Sequence, residues 1–83
     1  MSNGERHKWG MRLVEQKLAA ADLESELVRM RDLLRDHLDP HKPLSEIPLD
    51  IVAGVAVAAE GLWRQYRQVL VDIDNLKASL GER

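Results

Sequence analysis

All three prolines of this chain fall within one short stretch, at Pro40, Pro43 and Pro48. Proline lacks a backbone N–H and its ring clashes with the preceding helical turn, so it ends or breaks a helix. The chain is thereby cut into two proline-free arms joined by a stiff connection. Whatever each arm forms, it must bury its apolar residues against the other arm or against a second molecule.

The spacing within the arms predicts helix. In the first arm Trp9, Leu13, Gln16, Ala20, Leu23, Leu27, Met30, Leu34 and His37 recur at alternating intervals of four and three. That interval places them on one stripe of an α-helix, as in a coiled-coil seam. The residues between them, such as Glu15, Lys17, Glu24, Arg31 and Arg35, are mostly charged. The second arm is cleaner. Val52, Val55, Ala59, Leu62, Tyr66, Val69, Ile73, Leu76 and Leu80 fill every seam position with an apolar or aromatic side chain.

End signals set the boundaries. Pro40 drives Asp39 out of the α region, so the first helix is expected over about residues 8–38. The connection covers 39–48, with a helical turn after Ser45 and with Leu44, Ile47 and Leu49 folded back over the bundle end. The second helix is expected over about 49–80, with Asp50 as N-cap or in the first turn and Gly81 as the stop. The polar residues 1–7 read as a disordered tail.

An all-α antiparallel hairpin follows, a single domain over residues 1–83. Its expected core is Leu13, Ala20, Leu23, Leu27, Met30 and Leu34 against Val52, Val55, Ala59, Leu62, Tyr66, Val69, Ile73 and Leu76. With the turn near residue 43, residue i lies level with about 87 − i. Tyr66 then meets Ala20 and Ala21, and Ala58 and Ala59 meet Leu27, Val28 and Met30, large against small as interdigitated packing requires. The same register sets Arg64 and Arg67 level with Asp22 and Glu24, which predicts ion pairs across the seam rim. Composition agrees with helix: there is no Phe, no Thr and one Tyr, a poor supply for a β-sheet core.

Two helices are not expected to be the whole assembly. A chain of 83 residues buries only about 60–65% of its unfolded surface, and small scaffolds lean on disulfides, metals or partner chains. There is no Cys, so no disulfide. Each arm also carries apolar residues outside its seam, Met11, Val14, Leu18 and Ala21 on the first and Ala56, Trp63 and Leu70 on the second. Surplus apolar surface marks an association site. It is expected to gather at the end of the hairpin away from the connection. The expected assembly is a homodimeric four-helix bundle, its interface formed by Met11, Val14, Leu18, Trp63 and Leu70. Gly54 and Gly61 each cost about 1 kcal/mol inside a helix, and a close approach of another backbone, or a groove that receives a partner's bulky side chain, would account for them.

Chemistry-bearing motifs are few. His37 and His41 have metal-ligand spacing on a helix, but Pro40 lies between them. Gln16 is a polar residue on the seam, a position that can fix register. Arg29, Arg31, Arg35, Arg64 and Arg67 could face phosphates. Acidic residues sit one turn away, in Glu26–Arg29, Asp32–Arg35 and Glu60–Arg64, and neutralise that field. The four Ser stand in no nucleophile motif, and Gly54 and Gly61 lack the Lys-Ser/Thr of a phosphate loop.

The expectation is therefore no catalytic, cofactor-binding or metal residue, and no enzyme. The function expected is a cytoplasmic protein–protein interaction or scaffold module, a homodimer with room for a protein partner. The alternative is a nucleic-acid-binding or regulatory bundle using the Arg-rich face. The net charge of −2 names no partner. The polar start contains no secretory h-region. The apolar run 51–59 is far below the ~20 residues of a membrane span.

Overall fold

The computed structural model describes residues 3–81 as two long helices joined by a bent connection: α1 (Asn3–His37), a 3-10 turn (Leu44–Glu46) and α2 (Leu49–Leu80). The helices run antiparallel. Trp9 and Arg12 flank the same surface hollow as Leu76 and Ser79, while Met30 and Leu33 flank one with Val55 and Ala58. Both juxtapositions follow the level rule with the turn near residue 43. The molecule is a rod of 63 × 18 × 15 Å.

The ends of the elements follow local chemistry. Leu38 N–H still bonds to the Leu34 carbonyl at 2.9 Å, after which Asp39 takes over. Its carboxylate accepts the His41 N–H at 2.8 Å and its carbonyl accepts the Lys42 N–H at 3.1 Å. This is the Asx-type turn that an Asp-Pro pair favours. The turn at Leu44–Glu46 is closed by Glu46 N–H to the Pro43 carbonyl at 2.9 Å. Pro48, not Asp50, is the N-cap of α2; Asp50 lies in the first turn, where its charge suits the helix dipole. Gly81 adopts the left-handed conformation, φ 78° and ψ 9°, which glycine enters without a Cβ penalty.

Several features differ from expectation. α1 begins at Asn3, so residues 3–7, read as tail, are helical; Met1 and Ser2 lie outside the described residues. No proline or β-branched residue interrupts this stretch, and Glu5 stands in the first turn, favourable for the dipole. Leu44 and Leu49 do not fold back over the bundle end. They are exposed, Leu44 at 87%, while Ile47 and Pro48 are half-buried. The prolines hold the connection in a shape whose apolar tip has nothing to pack on.

The core sits at the open end. Leu13, Ala20, Ile73 and Leu76 are buried together, with Trp9, Tyr66, Val69 and Leu80 packed around them. Toward the connection the seam residues Leu27, Met30, Leu34, Val52, Val55 and Ala59 are only half-buried. Side-chain size explains the gradient. α2 offers Tyr66, Ile73 and Leu76 at one end and Val52, Val55 and Ala59 at the other, whose short side chains cannot span the gap.

Candidate functional site

The seam residues carry most of the burial, although Gly10, Ala19, Asp32, Asp72 and Lys77 beside the seam are also half-buried. All fourteen residues expected in the core are buried or half-buried, as are Gln16 and His37. The five residues expected at an association surface are all exposed: Met11, Val14, Leu18, Trp63 and Leu70. They do not form one patch. At 100° per residue, Met11, Val14 and Leu18 turn about 130–170° away from the middle of the α1 seam. Trp63 and Leu70 stand only about 70° from the middle of the α2 seam by the same arithmetic. The first set lies on the outer back of α1 and the second beside the seam on α2, so they occupy different faces of the rod.

Nor is the apolar surplus confined to the open end. Val28, Leu33, Ile51 and Val57 are exposed in the half nearer the connection. The expected concentration is therefore replaced by stripes running the length of each helix. On α2 the stripe carries Ala56, Val57, Trp63, Leu70 and Val71, all exposed. Trp63 borders a shallow apolar hollow with Leu27, Leu34, Ala56 and Ala59. A larger hollow of ≈ 600 Å³ lies on the other side of the seam, against Met30, Leu33, Gly54 and Ala58. Both are open grooves left where the small residues of α2 under-fill the seam.

The charged residues satisfy one another along single helices. Arg29 pairs with Glu26 at 2.7 Å, Arg35 with Asp32 at 3.8 Å and Arg64 with Glu60 at 2.6 Å. These are the three pairs expected from sequence. Arg31 also reaches Asp32 at 3.2 Å. The cross-seam pairs of Arg64 and Arg67 with Asp22 and Glu24 are not formed. Arg64 points away from the seam and bonds to Glu60, and Arg67 lies over the Trp63 ring, 5.0 Å from its centroid. Level position along the axis is not enough for contact when the side chains leave the helix on its far side. The arginines proposed as a phosphate face are thus largely matched by carboxylates one turn away.

His37 ends α1 half-buried, and His41 is exposed in the following turn. Among the described residues no group of three His, Cys, Asp or Glu side chains is placed to hold a metal ion. Among the same residues, no helix is long and apolar enough to cross a membrane.

The glycines in α2 have no tight neighbour within the hairpin. A Cβ built on Gly54 or Gly61 meets nothing within 4 Å, so close packing inside the hairpin does not account for them. Gly61→Ala should then stabilise the protein by about 1 kcal/mol through helix propensity alone. Thermal unfolding followed by circular dichroism checks this, and a lowered midpoint would reveal another molecule's backbone against Gly61.

Comparison with protein-family models, curated proteins and solved structures found no match to this chain.

Proposed function

We propose that this chain is a self-associating helical hairpin, a homodimeric four-helix bundle that serves as a protein–protein interaction or scaffold module without catalytic chemistry. One observation carries the reading. The single chain exposes 6450 Å² of accessible surface. A compact folded protein of 9.4 kDa ordinarily exposes about 5,000 Å², so about 1,400 Å² is in excess. A stable dimer buries about 800 Å² per partner, which the excess more than accommodates.

The shape gives the same message. The radius of gyration is 18.4 Å, against about 12 Å for a compact chain of this length. Burial is correspondingly thin: among the described residues only Leu13, Ala20, Ile73 and Leu76 are buried. Domains are ordinarily built from layers packed around a shared core, and a lone pair of helices has nothing on either flank. A second copy supplies the missing layer. Pairing along the α2 flank leaves Met11, Val14 and Leu18 of α1 outward, as the surface for a protein partner.

Sedimentation equilibrium across a wide dilution range tests the reading. The expected mass is twice 9.4 kDa, with helicity falling as dilution separates the copies, because folding and association are linked. A fully helical species of single-chain mass at every concentration would overturn it.

A further inference from the structure

We infer that the second copy packs on the exposed stripe of α2, antiparallel, about a two-fold axis passing between Trp63 and Arg64; this rests on the self-association reading and specifies its geometry. The argument begins with the pattern of the stripe itself. Apolar pairs occur at Ala56–Val57 and Leu70–Val71, one heptad to either side of Trp63. Reversing α2 about that axis brings residue i level with about 127 − i. A two-fold rotation about that axis keeps each edge of the stripe on its own side, so residues on one edge face the same edge of the partner.

Trp63 then faces the partner's Trp63. Ala56 meets the partner's Leu70, and Val57 meets the partner's Val71, so the smaller apolar pair receives the larger. Two-fold interfaces require this kind of self-complementarity, in which each contact occurs twice. A parallel arrangement would set Leu70 on Leu70 and leave the smaller pairs facing one another.

The charges obey the same axis. Glu60 and Arg67 lie on the stripe and sum to the same register, so each Glu60 comes level with the partner's Arg67. Within one chain they are seven residues apart and do not pair: Glu60 bonds to Arg64 at 2.6 Å, and Arg67 stacks on Trp63. Stacking engages the face of a guanidinium and leaves its N–H edge for a carboxylate. The dimer would thus carry two symmetry-related Glu60–Arg67 pairs beside the central tryptophans. A parallel pairing would instead set Glu60 level with Glu60 and Arg67 with Arg67.

Charge reversal provides the test, because both side chains are exposed in the hairpin and their exchange leaves its seam untouched. Glu60→Arg and Arg67→Glu should each weaken the dimer by about 10-fold or more, since each reversal opposes like charges twice. The double variant Glu60→Arg/Arg67→Glu should recover to within about threefold of the original. Helicity measured at a concentration that keeps the dimer associated confirms that folding is retained. The natural absence of Cys allows a geometric check: mixed Ala56→Cys and Leu70→Cys chains should form a cross-linked heterodimer, and Ala56→Cys alone should not. If the original chain is dimeric but neither reversal weakens it, or Ala56→Cys alone cross-links, the antiparallel α2 pairing is wrong and self-association stands. If the original chain has single-chain mass throughout, both fall together.

Discussion

Leu76→Ala is expected to lower the unfolding free energy by about 2–5 kcal/mol, the range for deleting a well-packed leucine and leaving its cavity. Leu76 is 4% exposed and sits against Leu13, at 5%, with Ile73 and Ala20 completing the cluster. A small domain has only about 5–15 kcal/mol in total, so the loss would be a large part of it. The matched control is Val55→Ala, on the same seam but half-buried near the connection. It removes fewer atoms from a looser site and should cost about 1 kcal/mol. Urea unfolding of both variants at one protein concentration gives the comparison. Equal destabilisation would mean that the open end is not the tighter half.

Trp63→Glu is expected to have the second large effect, and of another kind. Trp63 is 47% exposed; within the hairpin it carries the stacked Arg67 and borders the hollow of Leu27, Leu34, Ala56 and Ala59. In an isolated hairpin the substitution should therefore cost only about 1 kcal/mol of stability, the part of the ring's burial that the hairpin supplies, and leave the mass unchanged. In the proposed dimer it places two carboxylates face to face at the centre of an apolar contact. Desolvating these charges costs several kcal/mol, more than the few tenths that each could regain by pairing with Arg67 one turn away, so association should be lost and mass fall to 9.4 kDa. Helicity should fall with it, because the released hairpin is marginal. Light scattering and circular dichroism report the two quantities, and unchanged values in both would show that α2 does not mediate contact through this face.

These two variants separate the layers of the molecule: one probes the seam that makes the hairpin, the other the flank that reaches beyond it. The seam was legible from residue spacing. Positions three and four apart share a helix face whatever the chain does elsewhere, so Leu23 and Leu27 fall on the stripe of the first helix, and Tyr66 and Val69 on that of the second, from spacing alone. The connection was equally legible, since Pro40 and Pro48 forbid continuous helix through it. The glycine at the C-terminus of α2 was read for the same reason, a local conformational preference that Gly81 fulfils with φ 78°.

Where the reading from sequence failed, the deciding quantity was direction in three dimensions. The register correctly put Arg64 and Arg67 level with Asp22 and Glu24, but spacing along the axis does not say which way a side chain leaves it. Arg64 faces outward to Glu60. The apolar surplus is legible residue by residue, yet its division between the back of α1 and the side of α2 emerges only when the angular positions on two packed helices are combined. Apolar character alone assigns Leu44 to a cap, yet it is 87% exposed. Its exposure follows from the fixed bends on either side.

The sequence by itself thus determined two helices, the place where the chain turns back, and which stripe of each helix is buried. All of these depend on interactions between residues a few positions apart. The tertiary structure decided where the core is tight, which flanks stay bare, and which charges meet. Those depend on how far each side chain reaches across the gap between helices and on the direction in which it points. Neither can be read until both helices are placed.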